Sequence, residues 1–81
     1  MTTKRVTLTN EWVEIGVGPA YVEADRTACV TFGPSLPLAE SKAFHRLGPI
    51  LGRHLSYGGT DKIFAQKKSR LECNIVITEV R

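Results

Sequence analysis

The feature that most constrains this chain is a period of two, interrupted every few residues by glycine or proline. Val6 and Leu8 alternate with Thr7 and Thr9. After a turn at Asn10-Glu11 and then Trp12, Val13, Ile15 and Val17 alternate with Glu14 and Gly16. Ala20, Val22 and Ala24 alternate with Tyr21 and Glu23. Successive side chains of an extended strand point to opposite faces, so this pattern predicts strands with one buried face. Thr27–Phe32 is β-branched and aromatic and predicts a fourth strand, with Ala28, Val30 and Phe32 inward. Lys62–Gln66 predicts another. Leu71, Cys73, Ile75 and Ile77 alternate with Glu72, Asn74 and Thr78 in the clearest strand of all. Val76 and Val80 fall on its other face, which predicts partial cover there as well. No stretch of ten or more residues holds a helical stripe.

The breaks between strands carry their own expectations. Gly18-Pro19 and Gly48-Pro49 stop a strand, and Asp25-Arg26 predicts a hairpin turn. Residues 33–41 form a loop, because Pro34 and Pro37 remove backbone donors that a central strand needs. Leu36 and Leu38 are expected to tuck inward and fasten it. Lys42–Leu47 predicts a short strand with Phe44 inward, and Ile50–Tyr57 is weakly patterned up to Gly58-Gly59. Lys67-Lys68-Ser69-Arg70 predicts a polar, solvated hairpin tip. Gly16-Val17-Gly18 and Gly58-Gly59 lead into strands rather than helices, so they predict turns with positive φ and not phosphate cradles. The sum is an all-β fold: a small antiparallel β-sandwich or barrel of about six to eight short strands, one domain over residues 1–81.

Size then becomes an argument. A chain of 81 residues buries only roughly 60% of the surface that its unfolded form exposes. With 42% hydrophobic residues it has enough apolar material for a core, but little for a second covered face. This predicts that part of the core is completed by another chain. Charge points the same way. Residues 1–40 set Lys4, Arg5 and Arg26 against Glu11, Glu14, Glu23, Asp25 and Glu40, a balance of −2. Residues 41–81 set eight Lys and Arg against Asp61, Glu72 and Glu79, a balance of +5. Halves of opposite sign favour head-to-tail contact with copies or neighbours. A dedicated nucleic-acid binder would more often be basic throughout.

Sites of chemistry are sparse. No window approaches the roughly 20 apolar residues of a membrane span. The N-terminal residues lead into alternation and not into an apolar run, so folding in the cytoplasm of the producing cell is expected. Cys29 and Cys73 are expected to be buried free thiols, since a disulfide-stapled domain of this size carries more cysteines. His45 and His54 lack ligand spacing with each other or with the cysteines, and are expected near the surface without a metal. Asp25 and Asp61 fall at turns, where aspartate caps backbone. No nucleophile motif is present: Ser35 lies between Pro34 and Leu36. The expectation is therefore a protein that is not an enzyme and takes no cofactor.

The opening Val6-Thr7-Leu8-Thr9 followed by Trp12, and the closing Lys62-Ile63-Phe64-Ala65-Gln66 and Ile75-Val76-Ile77-Thr78-Glu79, carry a resemblance. Over residues 5–17 and 57–80 the chain resembles small β-rich structural proteins of tailed bacteriophages and prophages: capsid decoration, head-fibre and tail components. It departs from their pattern at the last turn, Lys67–Arg70, which lacks glycine. The resemblance implies a non-catalytic virion subunit, made in the host bacterial cytoplasm, that binds the capsid or other virion proteins and assembles with itself, a homotrimer being favoured. It carries over no site residues. From the residues themselves, the expected contacts are the N-terminal segment, Trp12, the 34–41 loop with Leu36 and Leu38, and the basic residues Lys67, Lys68 and Arg70. Two other readings stand beside this one. Trp12 or Tyr21 on a polar-rimmed platform would make a carbohydrate-binding module. Lys62, Lys67, Lys68 and Arg70 would serve a small nucleic-acid-binding barrel, the less favoured partner.

Overall fold

In the computed structural model of the chain, residues 1–38, 43–48 and 52–80 are described. Outside them lie residues 39–42, which end the expected 33–41 loop and begin the expected strand at Lys42. Residues 49–51, with the break at Pro49 and the start of the 50–57 segment, also lie outside. The described residues form eight strands: β1 Thr2–Thr7, β2 Val13–Val17, β3 Ala20–Ala24, β4 Ala28–Gly33, β5 His45–Leu47, β6 His54–Tyr57, β7 Lys62–Lys67 and β8 Asn74–Glu79. They make two four-stranded antiparallel sheets, ordered β1-β8-β3-β6 and β2-β7-β4-β5. The fold is a small β-sandwich.

Alternation decides which face of each sheet is wet. In β3, Ala20, Val22 and Ala24 are buried while Tyr21 and Glu23 are exposed, as the period of two requires. Val22 lies opposite Ile77 on one side and Leu55 on the other, and Ala24 lies opposite Ile75. The facing sheet contributes Ile15, Ile63, Ala65, Ala28, Val30 and Leu47 to the same core. Each fully buried valine, leucine or isoleucine contributes about 1.5–3 kcal/mol relative to an exposed one. Alanines at 20, 24, 28 and 65 fill many inward positions, so the two sheets share a thin core.

The connections differ from expectation. Consecutive strands among those described change sheets at every step except β4 to β5. Asp25-Arg26 is therefore a corner between sheets and not a hairpin turn. The Asp25 N–H donates to the Asn74 carbonyl at 3.2 Å, and an Asp25 carboxylate oxygen accepts the Asn74 N–H at 2.9 Å. Lys67–Arg70 is likewise no hairpin tip: Lys67 ends β7, and the residues after it cross to β8. The strands pair with partners distant in sequence, which local turn chemistry does not encode.

The glycines act through space and not through φ. Among the described residues, positive φ falls at Gly52, at 108°, and at none of Gly16, Gly18, Gly58 or Gly59. A Cβ on Gly18 or Gly59 would strike the Tyr57 ring. That ring stacks on Phe32 of the other sheet, with centroids 3.9 Å apart and planes within 6°. The pair joins the two sheets beside edge strands β5 and β6. Gly16 lies at a β-bulge, where the β2–β7 register shifts between Glu14 and Gly16. The bulge ends the expected alternation, so Gly16 is buried together with Ile15.

Candidate interaction surfaces

The outer face of the β2-β7-β4-β5 sheet is not the polar surface that alternation predicts. Cys29 and Phe64 on this face are 0% and 3% exposed, so β4 is covered on both sides. Trp12, just before β2, lies over them at 6% exposure. Phe44 packs beside it, ring centroids 5.9 Å apart at 55°. Phe44 is thus half-buried on the outer face and not inward as expected. Two contacts seat it there. The Thr31 hydroxyl donates to the Ala43 carbonyl at 3.0 Å, and β5 places Arg46 opposite Cys29. The Lys68 ammonium lies 5.8 Å and the Arg46 guanidinium 6.0 Å from the centre of the Phe44 ring, within cation–π range.

Burial pushes the Cys29 thiol up, and the charges of Lys68 and Arg46 oppose this only in part. Burial also raises Cys73, assisted by the charge of Asp25. Both cysteines are free and buried, as inert thiols should be. The Trp12 indole N–H is the buried side-chain polar atom without a hydrogen-bond partner among the described residues. Such a group costs about 1–3 kcal/mol when it stays unpaired.

Beside this aromatic cluster lies a cleft of about 230 Å³ bordered by Asn10, Glu11, Trp12, Leu36, Pro37 and Gln66. Leu36 and Leu38 do not tuck inward. They are 61% and 72% exposed, because the proline-bearing segment holds them out and the core is already filled by the strands. Leu71, expected on the inner face, is 58% exposed because it precedes β8 on the crossing segment. The structure therefore brings together Trp12, Leu36 and Lys68 of the expected contacts, the last through Phe44. Lys67 stands at the end of β7, half-buried, and donates its backbone N–H to the Thr9 carbonyl at 2.8 Å. Arg70 and Leu38 are exposed and border neither the cleft nor the aromatic cluster.

The outer face of the other sheet carries the polar rows that alternation predicts. Arg5, Val76, Glu23 and His54 lie side by side across β1, β8, β3 and β6. The next row is Thr3, Thr78, Tyr21 and Ser56. His54 Nε2 is 2.8 Å from a Glu23 carboxylate oxygen, and the Tyr21 and His54 rings stack at 5.7 Å. Val76 is half-buried, in keeping with the cover expected on this face, but Val80, past the end of β8, is exposed and not covered as expected. A concavity of about 350 Å³ is bordered here by Arg5, Arg53, Glu23, Asp25, Asn74 and Val76, among others. Burial alone would raise the Asp25 carboxyl. Hydrogen bonding from Asn74 and Cys73, with the Arg26 charge, together outweighs it and holds the group below its ordinary value.

Sequence reasoning missed Arg53 and the grouping of Arg5 with Glu23 and Asp25, because register across four strands joins residues far apart in the chain. The outward alternation of Tyr21 and Glu23 was the one local signal for this face. His45 and His54 are both exposed, and no group of three or more His, Cys, Asp or Glu among the described residues could hold a metal ion. Comparison of the chain with family models, with curated proteins and with solved structures finds no match.

Proposed function

We propose that this chain is a non-enzymatic structural subunit that works by adhesion, as the capsid decoration and head-fibre proteins of tailed phages that its sequence resembles do. It assembles with itself, a homotrimer being the favoured form, and clamps neighbouring subunits of a virion shell. The observation that carries this reading is the exposure of Leu36, 61%, at the border of the Trp12 cleft, and of Leu38, 72%, two residues further along the same segment. Two leucines held out from a domain with a thin core are apolar surface for which contact with another chain is the favourable outcome. The opposite charges of the two sequence halves do not separate in space, because each sheet takes strands from both halves, so the reading rests on the exposed leucines.

Burial of Trp12 takes that ring out of any sugar platform and weakens the carbohydrate reading at this face. The nucleic-acid reading finds Lys62 beside Glu14 at 3.8 Å, and of the six aromatics Tyr21 alone is exposed, on the other sheet. Mass spectrometry of purified virions from the source of this chain tests the proposal. Its peptides in intact particles are the expected result. Their absence from particles, with the chain abundant in the surrounding lysate, contradicts it.

A further inference from the structure

The concavity on the outer face of the β1-β8-β3-β6 sheet has a chemistry of its own. Arg5 enters from edge strand β1, and Arg53 from the residue before edge strand β6. Neither guanidinium has an ion-pair partner among the described residues. Glu23 and Asp25 border the same space: Glu23 holds the His54 ring through one oxygen, while Asp25 is already engaged by Asn74 and Cys73. The other Glu23 oxygen therefore remains for further donors. Val76 gives an apolar patch between them, and His54 in the same row stacks on Tyr21 of the next row, outside the concavity. Tyr21 is 43% exposed.

We infer that this concavity is a binding site for a carboxylate-bearing sugar residue. A planar carboxylate matches the fork of a guanidinium and can take two parallel hydrogen bonds from it. Sugar hydroxyls donate to the free oxygen of Glu23, and the apolar C–H face of the ring lies against Val76. The same carboxylates disfavour phosphate, which brings a second negative charge against them. A volume of about 350 Å³ lies at the lower end of small-ligand sites, the size of one or two sugar units. This site occupies the sheet face opposite the Trp12 cleft. A failure here and a failure of the assembly reading are therefore separate results.

The test is an amide and arginine side-chain NMR titration of the full chain with methyl glucuronide, methyl galacturonide and N-acetylneuraminic acid, each up to about 20 mM. Methyl glucoside and inorganic phosphate serve as comparisons. The expected result is saturable shifts at Arg5, Arg53, Glu23 and Val76 with at least one acidic sugar. Methyl glucoside and phosphate should bind about tenfold more weakly, and Arg53→Gln should weaken the acidic sugar by a similar factor with the melting temperature unchanged. Silence from all three acidic sugars overturns the inference. So does phosphate binding as tightly as the best sugar, which would mark a simple anion site, and so does an Arg53→Gln affinity equal to that of the natural chain.

Discussion

A carboxylate oxygen of Glu79 on β8 accepts the backbone N–H of Val17 on β2 at 3.0 Å, across the space between the two sheets. The other oxygen faces the Lys4 ammonium of edge strand β1 at 3.8 Å. One side chain thus ties the two layers where β2 is bulged. Hydrogen bonds to charged groups contribute more than neutral ones, so Glu79→Ala should lose about 2 kcal/mol in urea unfolding. Glu79→Gln keeps an acceptor and should lose less. Lys4→Ala should change stability by less than about 0.5 kcal/mol, since the pair is weak and half-exposed.

Gly16 should not tolerate a side chain. A Cβ there would sit 2.7 Å from the Ile77 terminal methyl and 3.3 Å from the Glu79 carboxyl carbon. Ile77 is fully buried, so it has little room to retreat. Gly16→Ala is expected to cost about 1–3 kcal/mol by overpacking, read as a lower urea midpoint with an unchanged slope.

Acid should release the Asp25 corner. The Asp25 carboxyl lies below its ordinary value of 3.8 in the fold. A depressed carboxyl contributes stability that is fully present above the unfolded value and is lost as pH falls through the folded one. The natural chain should therefore lose a component of stability below pH 3.8 that Asp25→Asn lacks. Thermal melts of the two proteins from pH 6 down to pH 2 check this; parallel curves over the whole range contradict it.

The thiols should be silent until the sandwich opens. Cys29 and Cys73 are both 0% exposed and both raised by burial. Iodoacetamide at neutral pH should modify neither in the folded chain and both in urea, counted by intact mass. Rapid labelling of Cys29 alone would show that the Trp12–Phe44 cover opens by itself.

Much of the strand content was legible in the sequence, and the reason is local. Ala20–Ala24 alternates against an inner row, and its outward Tyr21 and Glu23 are where alternation places them. The sheet switches were not legible, because Asp25-Arg26 looks the same as a hairpin turn until Asn74 is seen to bond it. The exposure of Leu36 and Leu38 was misread for a related reason. Whether a loop leucine is inside depends on how much of the core other strands have filled. Trp12 stood out in the sequence as a contact residue, but its burial on an outer sheet face depends on Phe44 arriving from a segment 32 residues away.

The central claim is that apolar surface around Leu36 and Leu38 is completed by another copy of the chain. Native mass by light scattering across a range of concentrations tests it most directly. A mass that is a multiple of 8.9 kDa, threefold for the favoured trimer, is the predicted result. Leu36→Ser combined with Leu38→Ser should return it to a single chain with its fold intact. A natural chain that stays at 8.9 kDa at every concentration would contradict the account.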